Sequence, residues 1–350
     1  MAKRETLLQI ADRLEGGVRD AFLESINRFT SDVQLSLLIE AIEARDTTRV
    51  LRLLNMERGY FAPLDRGLTD AYAQAGEAVM AQWMAQAKAA GAQVRAVFDA
   101  RNLRAEEWLK AQSSRLIREI TDDARDAVQS LLARNLEKGT APRTTALDIV
   151  GRINRATGRR EGGIIGLGGQ RERWAASAFD ELTSGDPAQM RNYLDRKARD
   201  RRFDSIVKRA IRDEKPVSAA EARQITARYR QKLLRQRGQM IARTELLGSV
   251  HAAQDEGMEQ LIEDGKVSRQ NVKAEWDSSE DSATRDSHRA MDGQVRAQGE
   301  PFVTGAGYQL RYPGDRSLGA PASEIIQCRC VKRPDIDWIA QAAQDELAFA

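Results

Sequence analysis

The chain has 350 residues, of which 41% are hydrophobic and only 5% aromatic, with a mean hydropathy of −0.55. That length allows two or three domains, and the composition fits a helix-rich protein with lightly aromatic cores. No apolar run approaches 18 residues, which excludes a membrane-crossing helix.

The N-terminal MAKRETLLQIADRLEGG has no uninterrupted apolar stretch and does not read as a secretory signal. Two cysteines one residue apart cannot build a disulfide framework, which points to a reducing or redox-indifferent setting. The formal charge of +3 hides an asymmetry. Residues 191–243 carry 17 basic and 6 acidic side chains, and residues 244–350 carry 11 and 19. A basic block beside an acidic end implies either a polyanionic partner or pairing within the chain.

In chain order, Leu14, Val18, Phe22, Ile26 and Phe29 recur at helical spacing and predict a first helix, interrupted at Thr30-Ser31-Asp32. Val33–Ala44 predicts a second, and Asp46-Thr47-Thr48 caps a third through Leu54. An alanine-rich helix follows from about Leu64 to Lys88. Another carries Trp108, Leu116, Ile120, Val128 and Leu132, and stops near Gly139-Thr140-Ala141-Pro142. These apolar stripes are packing faces.

GRREGGIIGLGG (Gly158–Gly169) lacks the lysine and hydroxyl of a phosphate loop and reads as a hinge between helical parts. RKARDRRFDSIVKRAIRDEK reads as a basic helix without base-stacking aromatics. Any nucleic-acid contact through Arg199, Arg201, Arg202, Lys208 and Arg209 would therefore be to phosphates, without sequence preference. Ser218-Ala219-Ala220-Glu221 is a capping box opening a further helix.

From Gln239 onward the character changes: residues 239–334 hold both histidines, both cysteines and four of the eight prolines. Helix runs to about Ile262 and stops at Asp264-Gly265. Val272–Trp276 alternates like a strand. Asp281 is placed to cap a short helix holding Arg285 and His288, closed by Gly293. Extended pieces follow near 294–303, 309–312 and 326–332.

Cys328 and Cys330 would share one face of a strand, as paired core thiols or as metal ligands. His288 and His251 would complete a Cys₂His₂ zinc set, although C-x-C is not the usual knuckle spacing. Arg285, His288 and Asp292 offer either a general base beside an anion-binding arginine or a polar network pinning a small domain. Tyr312-Pro313-Gly314-Asp315 reads as a turn. Arg243-Thr244-Glu245 lies mid-helix, placed for buried polar contacts.

Each signal is modest, but their order is specific. Ile241-Ala242-Arg243-Thr244-Glu245 precedes Trp276, Asp281, Thr284-Arg285, His288 and Asp292-Gly293. Pro301-Phe302, Tyr312-Pro313-Gly314-Asp315, Glu324 and Cys328-Arg329-Cys330 then follow. This succession resembles the Mu F-like phage head morphogenesis family, the minor head proteins of tailed bacteriophages. GGIIGL and RDRRFD (Arg199–Asp204) look like the same family's helical region, so the resemblance covers about Gly139–Pro334. Gln327 stands where asparagine commonly precedes C-R-C.

The expected fold is mainly α, an elongated helical N-terminal region followed by a small α+β domain. The expected parts are 1–138, helical; 139–238, helical with the glycine-rich hinge and basic helices; 239–334, the Mu F-like domain; and 335–350, an amphipathic tail (Ile336, Trp338, Ile339, Leu347, Phe349). The resemblance implies a non-enzymatic minor head protein binding portal and capsid or scaffold. It would lie inside the head near the portal vertex and the packaged DNA, after assembly in the host cytoplasm, with no membrane partner and no required cofactor. Two alternatives remain open: a metal-dependent hydrolase or nuclease built on His288, Arg285, Asp281 and the cysteines with zinc, and a non-specific DNA-binding protein.

Overall fold

The computed structural model of the protein describes residues 6–348, and side chains as far as Gln344. Helix dominates. The chain runs through α1 (Leu7–Asp32), α2 (Leu35–Glu43), α3 (Thr47–Leu53), α4 (Ala62–Ala89), α5 (Leu103–Glu137) and α6 (Pro142–Val150). A hairpin of β1 (Arg152–Ile153) and β2 (Arg160–Glu161) leads to α7 (Gly169–Thr183), α8 (Pro187–Asp195), α9 (Asp204–Arg212) and α10 (Ala219–Glu263). Asp46 caps α3 as its position predicts, accepting from the Arg49 N–H. Ser218 accepts from the Glu221 N–H at 3.3 Å, and its hydroxyl donates to the Glu221 carboxylate at 2.6 Å, closing the start of α10.

Two compact units emerge. One combines the described residues up to Arg19, Asp65–Gln112 and the described residues from Gln239 onward; the other combines Asp20–Leu64 and Ser113–Gly238.

In the second unit, GGIIGLGG, expected as a hinge, is a packed loop: Ile164, Ile165 and Leu167 are buried. Gly162 (φ +76°) approaches α10 so closely that a Cβ there would stand 2.5 Å from the Ala227 Cβ. A glycine is needed on both counts. The basic stretch is likewise not one helix. α8 ends at Asp195, and Asp200 accepts from the Arg202 N–H to start a short 3₁₀ turn (Arg201–Phe203). α9 then begins at Asp204.

In the first unit, α10 from Gln239 onward packs with α4 and α5 around Tyr72, Trp83, Phe98, Val250, Met258 and Leu261. The Tyr72 and Trp108 rings stack with centroids 5.3 Å apart. Beyond α10 comes a three-stranded antiparallel sheet, order β4–β3–β7, from β3 (Val272–Asp277), β4 (Val295–Ala297) and β7 (Val331–Ile336). α11 (Asp286–Arg289), a two-stranded ribbon of β5 (Phe302–Val303) and β6 (Gln309–Leu310), and α12 (Ala322–Ile325) complete it.

The alternation foreseen over β3 is present: Val272, Ala274 and Trp276 are buried while Lys273 and Glu275 are exposed. Pro334 lies on β7, an edge strand, where its missing N–H breaks no ladder.

The tail folds back as α13 (Trp338–Ala348). Ile336 and Trp338 are buried in the first unit's core, and Gln341 Oε1 accepts from the Ser268 N–H at 2.7 Å. Ile339 is 76% exposed. Phe349 lies outside the described residues, as does the side chain of Leu347.

Candidate functional site

The motif residues converge on the sheet and on the face of α10 beside it. The Thr244 hydroxyl, buried on α10, accepts from the Gln327 N–H at 3.1 Å, and so fixes the turn that delivers Cys328 and Cys330. Its neighbour Glu245 accepts from the Gln112 side-chain amide and lies 3.9 Å from the Arg316 guanidinium. Arg243 reaches Glu15 at 3.3 Å. These are the polar contacts its mid-helix position suggests.

Gln327 sits at φ +56°, in the left-handed region that asparagine tolerates better than glutamine. That conformational demand gives a physical reason for asparagine at this point of the motif.

Cys328 and Cys330 lie just before β7 and not within a strand, which corrects the expected extended piece at 326–332. The backbone is still extended enough to alternate. Both sulfurs are buried, while Arg329 between them points to Asp281, with Nη1 2.5 Å from its carboxylate.

His288, on α11, brings Nδ1 to 3.4 Å from Cys328 Sγ and 3.5 Å from Cys330 Sγ. Its Nε2 stands 3.0 Å from Glu324 Oε2, although the N–H is not aligned for a full hydrogen bond. Ser287 donates to the same carboxylate oxygen at 2.8 Å. The Trp276 ring meets His288 edge to face, centroids 5.6 Å apart. The cluster is closed: His288 is 1% exposed, Cys328 4%, Cys330 2% and Glu324 7%.

The two thiols are unequal. A hydrogen bond from Cys328 draws Cys330 down to about 5 against the opposing effect of burial, with His288 assisting. The same pairing, and then burial, push Cys328 well above the ordinary thiol range.

Other expectations need correction. Asp281 does not cap α11. Arg285 occupies the cap position without a side-chain bond, and Asp281 instead holds a local turn through the Ala283 N–H at 2.9 Å. Asp292 is not the partner of His288; it accepts from the Ser278 N–H at 2.7 Å, and Glu324 takes that place. Arg285 donates to the Ile326 carbonyl, so it supports the turn before the cysteines and does not face an anion site.

His251, the fourth candidate ligand, is fully buried on α10 but stands outside the His288–Cys328–Cys330 group. Burial draws its imidazole down to about 4, and neither ring nitrogen makes a well-formed hydrogen bond among the described residues. Tyr312–Asp315 forms the expected turn, with Gly314 at φ +91° and the Asp315 N–H bonded to the Tyr312 carbonyl at 3.1 Å. Gly293 also has positive φ (+70°), where the chain turns into β4.

The basic candidates are divided. Arg199 forks onto Asp204 at 3.0 and 3.1 Å, and Arg202 onto Asp200 at 3.1 and 2.6 Å. Arg209 lies 3.8 Å from Glu221, and Arg201 and Lys208 are exposed. Further along the block, Arg196 pairs with Glu181, Arg228 with Glu161, Arg230 with Asp148 and Arg237 with Asp123. Much of the positive excess read from residues 191–243 is thus answered, among the described residues, mostly by acids at 123–204.

Comparison with curated proteins and with solved structures finds no match to the chain. A protein-family model described as Phage Mu protein F like protein matches residues 208–333. That span takes in every motif from Arg243 to Cys330, whereas GGIIGL and RDRRFD lie before it. The 208–333 segment is thus similar to the Mu F-like family, which the order of its motifs also resembles.

Proposed function

We propose that the protein is a structural minor head protein of a tailed phage or phage-derived particle, docking to the portal and the inner capsid and turning over no substrate. The family match over 208–333 carries this reading. The site supports it, because the side chains an enzyme would need are engaged in holding the fold. Asp281 is tied to Arg329, Arg285 to a backbone carbonyl, and His288 and both cysteines are buried.

Exposed apolar side chains suit docking: Leu136 and Ile153 in one unit, Val97, Leu103 and Ile339 in the other. A place near packaged DNA fits the exposed Arg201 and Lys208. With most neighbouring arginines paired internally, such contact would be weak and strongly salt-dependent.

Co-expression with the portal protein of the same phage tests the reading. Stable co-purification that survives nuclease treatment is expected. Failure to associate with portal, capsid or scaffold, together with DNA or peptide hydrolysis abolished by His288→Ala, would replace it with the hydrolase alternative.

A further inference from the structure

We infer that Cys328, Cys330 and His288 form a structural zinc site, with His288 coordinating through Nδ1 and Glu324 orienting its ring from the far side. The inference stands independently of the head-protein reading.

Three observations carry it. The first is the donor set: two sulfurs and one imidazole nitrogen, all mutually within 4.8 Å, are the ligands Zn²⁺ prefers. The second is spacing. A tetrahedral zinc with Zn–S of about 2.3 Å and Zn–N of about 2.0 Å places sulfur and nitrogen roughly 3.5 Å apart. The two separations here are 3.4 and 3.5 Å.

The third is the ring's other side. Nε2 lies 3.0 Å from a Glu324 oxygen that Ser287 also holds. A carboxylate on the distal nitrogen is how metal-bound histidines are usually fixed, because it sets the tautomer and leaves the opposite lone pair toward the ion. Glu324 itself is only 7% exposed, and the Ser287 hydroxyl and the His288 ring hold its carboxylate in place.

The site has a clear mechanical use. Cys328 and Cys330 precede the edge strand β7, His288 comes from α11, and Trp276 from β3 packs on the ring. One ion would cross-link pieces some 40 residues apart in sequence, in a region with little regular structure. Two thiolates would neutralise the ion's charge. Three protein ligands leave the fourth position to water, the count usual for catalytic zinc; enclosure, with each ligand at most 4% exposed, is what makes this site structural. His251 is not among the mutually close donors, though it reaches the Cys330 backbone.

The test is elemental analysis of full-length protein purified without chelator, together with cobalt substitution. One zinc per chain is expected, with thiolate-to-cobalt charge-transfer absorption of a two-sulfur site. Cys328→Ser, Cys330→Ser and His288→Ala should each lose the metal. Glu324→Gln should keep it with affinity weakened about 10- to 100-fold, and His251→Gln should bind as the parent does.

Should the ligand variants fail to fold, the unmodified protein decides: stripping zinc should lower its melting temperature and restoring zinc should recover it. Full-length protein that binds no zinc or cobalt, a Cys328–Cys330 disulfide that persists in protein purified with reductant, or binding unchanged in Cys330→Ser would each overturn the inference.

Discussion

Between residues 113 and 238, buried polarity is held mainly by arginine–carboxylate pairs between elements. From 239 to 344 it is held largely by side chains that clamp single backbone groups. In the first stretch Arg134 meets the fully buried Glu172, Arg230 reaches Asp148, and Arg237 reaches Asp123. Burial pushes the Arg237 guanidinium down to about 10, which still leaves it charged at neutral pH.

In the second stretch Thr244 takes the Gln327 N–H, Asp292 the Ser278 N–H, and Arg285 the Ile326 carbonyl. Asp315 takes the N–H groups of Arg311 and Ser317. The cause is secondary structure. Helices satisfy their own backbone, so polar side chains there are left to pair with each other. Short strands and turns leave backbone groups open, and buried ones must find side-chain partners.

Substitutions that break each device should separate the regions. The largest loss is expected from Arg134→Met, which strands the buried Glu172 charge and should cost about 3 to 5 kcal/mol in urea unfolding. Adding Glu172→Leu should recover most of it, as the pair is replaced by apolar packing.

In the loop-rich region, Gly314→Ala should cost roughly 2 to 4 kcal/mol. A Cβ there would meet Gly248 Cα at 2.8 Å, and φ of +91° adds strain. Thr244→Val removes the acceptor of the part-buried Gln327 N–H and should cost about 0.5 to 1.5 kcal/mol; no second substitution of an apolar side chain can rescue it, since the orphan is backbone. Gln327→Gly should raise stability by up to about 1 kcal/mol by relieving the left-handed strain.

The smallest effect is in acid. The Arg202 fork holds the Asp200 carboxyl at about 2. A depressed carboxylate stabilises the fold above its unfolded value near 3.8 and loses that contribution as pH falls through about 2. Arg202→Gln should flatten the stability profile over that window alone.

Much of the C-terminal module was legible because its signals are local: alternation over β3, a proline and glycine placed for a turn, a helix ending at Asp264-Gly265. The order of Arg243-Thr244-Glu245, His288 and Cys328-Arg329-Cys330 also pointed to the family whose model matches 208–333. What could not be read were pairings across long sequence separations.

Glu324 lies 36 positions from His288, and nothing local marks it as that ring's neighbour. Asp292 sat at the more tempting spacing. The charge count over 191–243 suggested a polyanion site because its answering acids, such as Asp123 and Asp148, lie in other helices. The glycines of GGIIGLGG looked like freedom, yet Gly162, Gly166 and Gly168 let the backbone approach α10, and Gly163 lets it approach the end of α6. A short hydrophobic run among them, Ile164-Ile165-Gly166-Leu167, was the available sign that this loop is buried.

The most direct test of the head-protein assignment is the composition of purified heads. Quantitative mass spectrometry should find this chain in heads at a few copies each, retained with the portal, and heads made without its gene should assemble or package poorly. Heads that never contain it, and that form and fill normally in its absence, would contradict the account.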